Sequence, residues 1–253
     1  MSLLEIDDIG VRFGGVNALD GLSFGIEGGQ IAALIGPNGA GKTTLFNVVS
    51  RIYQPTQGTV RFEGSDLLEV PAHRISDLGV GRTFQNLALV PGLSVLENVM
   101  VGAHARSTGG FWSSALRVTQ MAEERRVADR AESILERLDL HHLSSRPCDG
   151  LPFGTLKRIE FARALAGEPK LLMLDEPASG LTHGEVDELA ALIQQIRTEF
   201  ALTVLLVEHH MSMVMAISEN IVVMDLGRKI AEGTPDVVRN DPKVISAYLG
   251  AAE

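Results

Sequence analysis

The most informative segment of this 253-residue chain reads Gly36-Pro37-Asn38-Gly39-Ala40-Gly41-Lys42-Thr43. It fits the pattern GxxxxGK followed by Ser or Thr, which is typical of a phosphate-binding loop. The apolar run from Ile31 to Ile35 predicts a strand before the loop, and the residues from Thr44 onward predict a helix. Glycines at this spacing let main-chain N–H groups and a helix N-terminus point at phosphate oxygens. The segment therefore predicts a triphosphate site, with Lys42 at the β and γ phosphates and Thr43 as a ligand of Mg²⁺.

A second apolar run, Leu171 to Leu174, ends in the adjacent carboxylates of Asp175 and Glu176. An isolated pair of this kind could equally be a solvated strand end. Beside a phosphate-binding loop, the pair suits metal-assisted phosphoryl chemistry. We expect Asp175 to hold Mg²⁺ through water and Glu176 to polarise the attacking water as general base.

A third apolar run, Val204 to Val207, is followed by Glu208, His209 and His210. Ligands of open parallel sheets bind at the carboxyl ends of the strands, so this position suits a phosphate contact. Because successive side chains of a strand point to opposite sides, we expect only one of the two histidines to face a phosphate. Without further information, a histidine here is more often structural than functional.

The order of the predicted elements indicates a mixed α/β protein. Residues 3–13 and 58–62 are typical of strands, and residues from about 87 to 156 are mainly helical in pattern. The capping-box spacing of Ser94 and Glu97 predicts a helix start in this middle part. From residue 171 onward strands and helices alternate, which predicts a parallel sheet covered by helices.

Composition excludes several classes of function. The formal charge is −10, from 32 acidic residues against 22 Lys and Arg, and no segment gathers the basic stripe that nucleic acid requires. The single cysteine, Cys148, has no partner for a disulfide and no zinc-like neighbours. No apolar run approaches the ~18 residues of a membrane helix, and the first residues do not resemble a secretory signal. We therefore expect an intracellular protein without nucleic acid as a partner.

Two further segments identify the type of phosphate-binding protein. The segment Leu151-Pro152-Phe153-Gly154-Thr155 lies ahead of the strand that ends in Asp175, and Arg82-Thr83-Phe84-Gln85 lies between it and the phosphate loop. Together with that loop, they resemble the nucleotide-binding subunit of an ABC transporter over nearly the whole chain. The resemblance implies a P-loop, RecA-like parallel sheet core with an antiparallel β subdomain and an inserted α-helical subdomain. It implies a single ABC ATPase domain at residues 3–250, with the helical subdomain at about 87–157.

The resemblance also implies the roles of individual residues. His209 matches the switch histidine at the γ-phosphate, and Phe13 matches an aromatic that stacks on adenine with Val16 supporting the ring. Without the family, Phe13 would be interpreted as a core strand residue. Nucleotide contacts are implied at Phe13, Val16, Asn38, Gly39, Ala40, Gly41, Lys42, Thr43, Thr44, Gln85 and Gly154. Catalytic roles are implied for Glu176, His209 and Lys42, and Mg²⁺ contacts for Thr43, Gln85 and Asp175.

Two positions depart from the family pattern. Pro152 stands where the signature LSGGQ has its serine, so it offers neither a hydroxyl nor an N–H to a γ-phosphate. Gly154 and the following helix N-terminus still suit an anion, which favours a weakened composite site over an inactive one. Thr182 stands where the family often has aspartate, and the spacing of Thr182 and Glu185 predicts a helix cap instead.

The implied function is that of an ATP-hydrolysing motor subunit. The segments around Phe13 and Gln85 and the tail Ala247-Tyr248-Leu249-Gly250 resemble importers of branched-chain or related amino acids. This resemblance implies ATP and Mg²⁺ as cofactors, a second ABC ATPase subunit, membrane permease subunits at the cytoplasmic face of the inner membrane, and indirectly a periplasmic binding protein. A lipid or lipopolysaccharide exporter motor remains an alternative. A chromosome-organising ATPase would need a long coiled coil between the two motifs, and a translation factor would need two cassettes.

Overall fold

The computed structural model describes residues 2–83, 88–104 and 117–249. It contains two compact units. The first consists of Met1–Ile75 with Lys170–Glu253, and the second is Ser76–Pro169. The second unit contains the helices of the middle region and extends beyond the predicted helical segment of about 87–157 at both ends.

The first unit begins with an antiparallel sheet. Its strands are β1 (Ser2–Phe13), β2 (Val16–Glu27), β4 (Gln57–Phe62) and β5 (Ser65–Asp66), in the order β2-β1-β4-β5. In β2 the buried residues Leu22, Phe24 and Ile26 alternate with more exposed ones, which places every second side chain on the core face. Phe13 and Val16 are cross-strand partners beside the turn that joins β1 to β2.

The same unit contains a mainly parallel sheet. Its strands are β3 (Ile31–Ile35), β7 (Leu171–Asp175), β8 (Thr203–Val207), β9 (Asn220–Asp225) and β10 (Arg228–Gly233), in the order β10-β9-β3-β8-β7. Only β10 runs antiparallel to its neighbour. Every residue of β3, β7 and β8 is buried, as expected of strands covered on both faces. The predicted parallel sheet and antiparallel sheet are confirmed.

Within the described residues, the first unit contains five α-helices. They are α1 (Lys42–Val49), α5 (His183–Glu199), α6 (Met211–Ile217), α7 (Pro235–Arg239) and α8 (Pro242–Leu249). One buried cluster joins Ile35 and Val223 of the sheet to Val214 of α6, Val238 of α7 and Val244 of α8. The C-terminal helices therefore pack on the strands that lead to the phosphate loop.

The second unit contains the short strand β6 (Val80–Arg82) and the helices α2 (Val95–His104), α3 (Arg117–Arg137) and α4 (Phe153–Ala166). Ser94 and Glu97 form the predicted capping box, with the Ser94 N–H and hydroxyl both 2.7 Å from the Glu97 carboxylate. Helix α2 packs closely on α4. A β-carbon on Gly102 of α2 would lie 1.9 Å from the carbonyl oxygen of Arg163, so only glycine fits there. Across the described residues, the model contains no helix long and apolar enough to cross a membrane.

Candidate nucleotide site

The phosphate loop runs from β3 to α1 through backbone conformations that require glycine. Gly36 has φ +153°, and a β-carbon there would lie 2.1 Å from the carbonyl oxygen of Met224. Gly41 has φ +100°, and a β-carbon there would lie 2.5 Å from the carbonyl oxygen of Ala18. Side chains are therefore excluded at both ends of the loop, which keeps the main chain free to approach a ligand.

The loop is held by neighbouring main chain. The N–H of Gly227, in the turn between β9 and β10, donates to the carbonyl of Ala40 at 3.0 Å. Ala40 is buried, whereas Asn38, Gly39 and Thr43 are exposed and Thr44 is half-buried. The loop thus has a fixed inner side and an accessible outer side, with the hydroxyl-bearing Thr43 at the first turn of α1. This arrangement fits a triphosphate with its metal.

Lys42 lies at the inner side of the loop, with only 9% of its surface exposed. Its ammonium donates to the carbonyls of Gly36 at 2.6 Å and Pro37 at 3.0 Å. Burial lowers the pKa of Lys42, and the nearby carboxylates of Glu176 and Asp175 partly oppose this shift. The structure therefore brings the predicted lysine and the predicted carboxylate pair into one electrostatic environment.

The carboxylate pair lies at the end of β7. Asp175 is the last residue of that strand and is 7% exposed. Glu176 follows with φ +47°, a left-handed conformation that is unusual for a residue with a side chain. Its N–H donates to the carbonyl of Val207 at 2.9 Å, which ties it to the end of β8. Strained residues of this kind concentrate at functional sites.

The two histidines lie directly beyond β8. His209 is the more exposed, with 57% of its side chain accessible against 24% for His210. Their rings lie with centroids 4.5 Å apart and planes at 37°. The argument that successive side chains must point apart is wrong here, because β8 ends at Val207 and strand alternation does not extend to these residues. His209 remains the better placed of the two for contact with a ligand.

The aromatic residue predicted to meet adenine is accessible. Phe13 is 48% exposed and its cross-strand partner Val16 is 69% exposed, so the interpretation of Phe13 as a core residue is wrong. The ring of Tyr53 meets that of Phe13 edge-on at 5.2 Å between centroids. Sequence reasoning missed Tyr53, which follows the helix of the phosphate loop. A weak signal was available, since an aromatic in a loop close to that helix can reach the same ligand.

The C-terminal helix also approaches the loop. Tyr248 of α8 and Ile35 at the end of β3 line the same cavity of about 540 Å³. Burial raises the pKa of Tyr248 to about 12, and the nearby main chain of Gly36 partly opposes this shift. Tyr248, one residue of the tail that resembles amino-acid importers, therefore lies close to the start of the phosphate loop.

The signature segment lies in the second unit, at the start of α4. Pro152 is the N-cap residue of this helix, with φ −55° and ψ 146°, and no side chain caps the helix. Phe153 and Gly154 are exposed, so the helix N-terminus is accessible. Gln85, the predicted γ-phosphate sensor, lies outside the described residues together with Phe84.

The predicted cap at Thr182 is confirmed. Thr182 precedes α5 and forms a capping box with Glu185, whose carboxylate accepts the Thr182 N–H at 2.8 Å. The Thr182 hydroxyl lies 2.7 Å from the same carboxylate. The side chain is thereby engaged in starting the helix.

A sequence model described as ABC transporter matches residues 19–179. The chain belongs to the ABC transporter family. This ABC protein is an ATPase by family, and the activity expected from the phosphate loop is confirmed. A second model, described as branched-chain amino acid ATP-binding cassette transporter, matches residues 228–253.

Relatives of this ABC protein match it from end to end. The high-affinity branched-chain amino acid transport ATP-binding protein BraF of Pseudomonas aeruginosa is 41% identical over 99% of this chain and 98% of its own length. LivG of Escherichia coli, described in the same words, has the same identity and coverage. Among solved structures, the ADP conformation of MJ1267, an ATP-binding cassette of an ABC transporter, has a TM-score of 0.86 and 31% identity over 99% of both chains.

Proposed function

We propose that this ABC ATPase is the motor subunit of an importer for branched-chain or related amino acids, and that it hydrolyses Mg-ATP. The hydrolytic part rests on one arrangement: Lys42 is held at the phosphate loop by the carbonyls of Gly36 and Pro37, and Asp175 and Glu176 at the end of β7 are close enough for their charges to act on it. The cargo is supported by the names of relatives that are 41% identical over nearly all of their length and by the match at residues 228–253.

The phosphate loop binds the triphosphate mainly through charge and main-chain donors. When ATP binds, Lys42 exchanges its contacts with the carbonyls of Gly36 and Pro37 for contacts with phosphate oxygens. These oxygens give the buried ammonium a negatively charged partner. The N-terminus of α1 adds a positive partial charge. Phe13 provides an exposed ring for adenine, and Tyr53 supports it edge-on.

The chemical step needs an oriented water and an electrostatic match to the γ-phosphate. Glu176 accepts a proton from that water as general base, and His209 donates to a γ-phosphate oxygen. Thr43 and Asp175 would hold the metal, with Gln85 as a further contact. When bound, Mg²⁺ would offset the negative charge of the phosphate oxygens. Catalysis in this scheme consists of positioning and electrostatics.

Two cassettes pair so that the signature segment of one faces the phosphate loop of the other. Gly154 and the N-terminus of α4 then contact the γ-phosphate without the serine hydroxyl that Pro152 lacks. Binding of ATP closes the pair because its phosphates contact both chains only in the closed state, and hydrolysis releases it. Permease subunits at the cytoplasmic face of the inner membrane receive this motion, and a periplasmic binding protein delivers the cargo to them.

The test is a comparison of Glu176→Gln with Lys42→Ala in the purified protein. Glu176→Gln should bind Mg-ATP normally, lower turnover by about 100-fold or more and accumulate a pair on size-exclusion chromatography. Lys42→Ala should instead weaken ATP binding, measured by calorimetry. Unchanged turnover in the first variant, or normal affinity in the second, would contradict the assignment. Uptake of leucine by vesicles containing the reconstituted transporter tests the cargo separately.

A further inference from the structure

A buried carboxylate outside the proposed chemistry links the two loops that carry Glu176 and His209. Glu208 follows β8 directly, and its side chain has no exposed surface. One carboxylate oxygen accepts the N–H of Ala178 at 2.8 Å. The other accepts the N–H groups of His209 at 2.8 Å and His210 at 3.0 Å. A single side chain therefore fixes main chain on both sides of the site.

The same carboxylate also contacts the ring of His210. Its second oxygen lies 3.1 Å from Nδ1 of His210, which can donate a hydrogen bond to it. The His210 ring lies against the His209 ring, with centroids 4.5 Å apart. The chain of contacts runs from Glu208 through His210 to the exposed ring of His209.

A metal ion is the other occupant that this cluster could suggest. Glu208, His209 and His210 offer ligand atoms within 4.8 Å of one another. However, both oxygens of Glu208 already accept main-chain N–H groups, and the remaining neighbour at hydrogen-bond distance is the Nδ1 of His210. Because both carboxylate oxygens already accept hydrogen bonds, Glu208 is better described as a hydrogen-bond acceptor for main chain than as a metal ligand.

We propose that Glu208 is a positioning residue that holds the loop after Glu176 and the His209 loop in one fixed arrangement. The inference rests on the proposed roles of Glu176 and His209. The hydrogen bond from the Glu176 N–H to the Val207 carbonyl joins the same two loops at their start, and Glu208 joins them again two residues later. With both links in place, the general base and the γ-phosphate contact keep their relative position.

Glu208→Gln tests this idea with almost no change in volume. The amide replaces one acceptor oxygen by an NH₂ group, which must face N–H donors on one of the two loops. We expect turnover at saturating Mg-ATP to fall by about tenfold to a hundredfold, as small displacements of catalytic groups do, while the Kd for Mg-ATP changes by less than about threefold. Glu219→Gln is the matched control, because Glu219 pairs with Arg197 and donates its N–H to Ile31 at the opposite end of β3.

A double-mutant cycle distinguishes positioning from general loss of stability. If Glu208 acts through His209, the fold-loss caused by Glu208→Gln should shrink in a His209→Ala background. Three results would each overturn the proposal: an equal fold-loss of turnover in both backgrounds, wild-type turnover in Glu208→Gln, or a loss of ATP affinity that parallels the loss of turnover.

If Glu208→Gln fails to fold, His210→Phe provides a second test. This variant keeps the ring contact but lacks Nδ1, so it should reduce turnover and leave the Kd for Mg-ATP unchanged. Wild-type turnover in His210→Phe would also overturn the proposal.

The proposed function can fail independently of this inference. A wild-type protein without Mg-dependent ATPase activity, or a Glu176→Gln variant with normal turnover, would remove the catalytic assignment itself. If the wild type hydrolyses Mg-ATP and Glu176→Gln does not, while Glu208→Gln has wild-type turnover, only the positioning role of Glu208 is removed.

Discussion

Glu176 occupies a main-chain conformation that suits glycine better than glutamate. Its φ of +47° lies in the left-handed region, which costs an ordinary L-residue about 1–2 kcal/mol. The turn is closed by the N–H of Ser179, which donates to the Glu176 carbonyl at 3.1 Å. Glu176→Gly should relieve this strain and at the same time remove the proposed general base. We therefore expect a protein that is more stable than Glu176→Gln and, like it, catalytically inactive.

The magnitude follows from a comparison with Glu176→Gln, since both variants lose the same negative charge beside Lys42 and Asp175. Glycine gains about 1–2 kcal/mol from relief of the left-handed conformation. Its greater freedom in the unfolded chain removes about 0.4–1 kcal/mol of that gain. From the midpoints of these two ranges, the free energy of unfolding of Glu176→Gly should exceed that of Glu176→Gln by about 0.8 kcal/mol, or about 2–3 °C in Tm for a chain of this length.

Urea and thermal unfolding of the two variants, both without nucleotide, measure this difference. Steady-state phosphate release with Mg-ATP measures the loss of activity, which should affect both variants. The reasoning is refuted if Glu176→Gly is no more stable than Glu176→Gln. It is also refuted if the glycine variant still hydrolyses ATP, because the carboxylate would then be dispensable.

Two other variants test the ends of the site. Phe13→Ala should weaken ATP binding about tenfold, because stacking on a base contributes about 1–3 kcal/mol, and should leave tripolyphosphate binding unchanged. Equal losses of affinity for both ligands, measured by calorimetry, would contradict the adenine contact. Pro152→Ser should raise turnover and stabilise α4 by about 1 kcal/mol through a new N-cap hydroxyl. Pro152→Ala lacks that hydroxyl, so identical turnover and urea midpoints in the two variants would count against the missing-contact argument.

The strands that carry the phosphate loop and the carboxylates were predictable because their signals are local. Runs of buried apolar residues such as Leu171 to Leu174 satisfy the requirements of a strand covered on both faces. A polar residue at the end of such a run must lie at the carboxyl edge of the sheet. This reasoning placed Asp175 and Glu176 beside Lys42 without any knowledge of tertiary structure.

Contacts between distant segments could not be predicted in this way. Glu208 looks like a solvated strand end in the sequence, but it is buried and accepts the N–H of Ala178, 30 positions earlier. The contact of Tyr53 with Phe13 likewise depends on how a loop returns to the end of β1. The histidine pair was misjudged because the exact end of β8 decides whether strand alternation applies, and strand ends are poorly marked by local patterns.

The close approach of α2 and α4 at Gly102 makes the spacing of these two helices depend on one residue. The carbonyl oxygen of Arg163 occupies the space where a β-carbon would lie, so the main chains of the two helices meet there with no side chain between them. Any larger residue at position 102 would have to push α2 and α4 apart. The helix pair is therefore least tolerant of substitution at a position that carries no side chain.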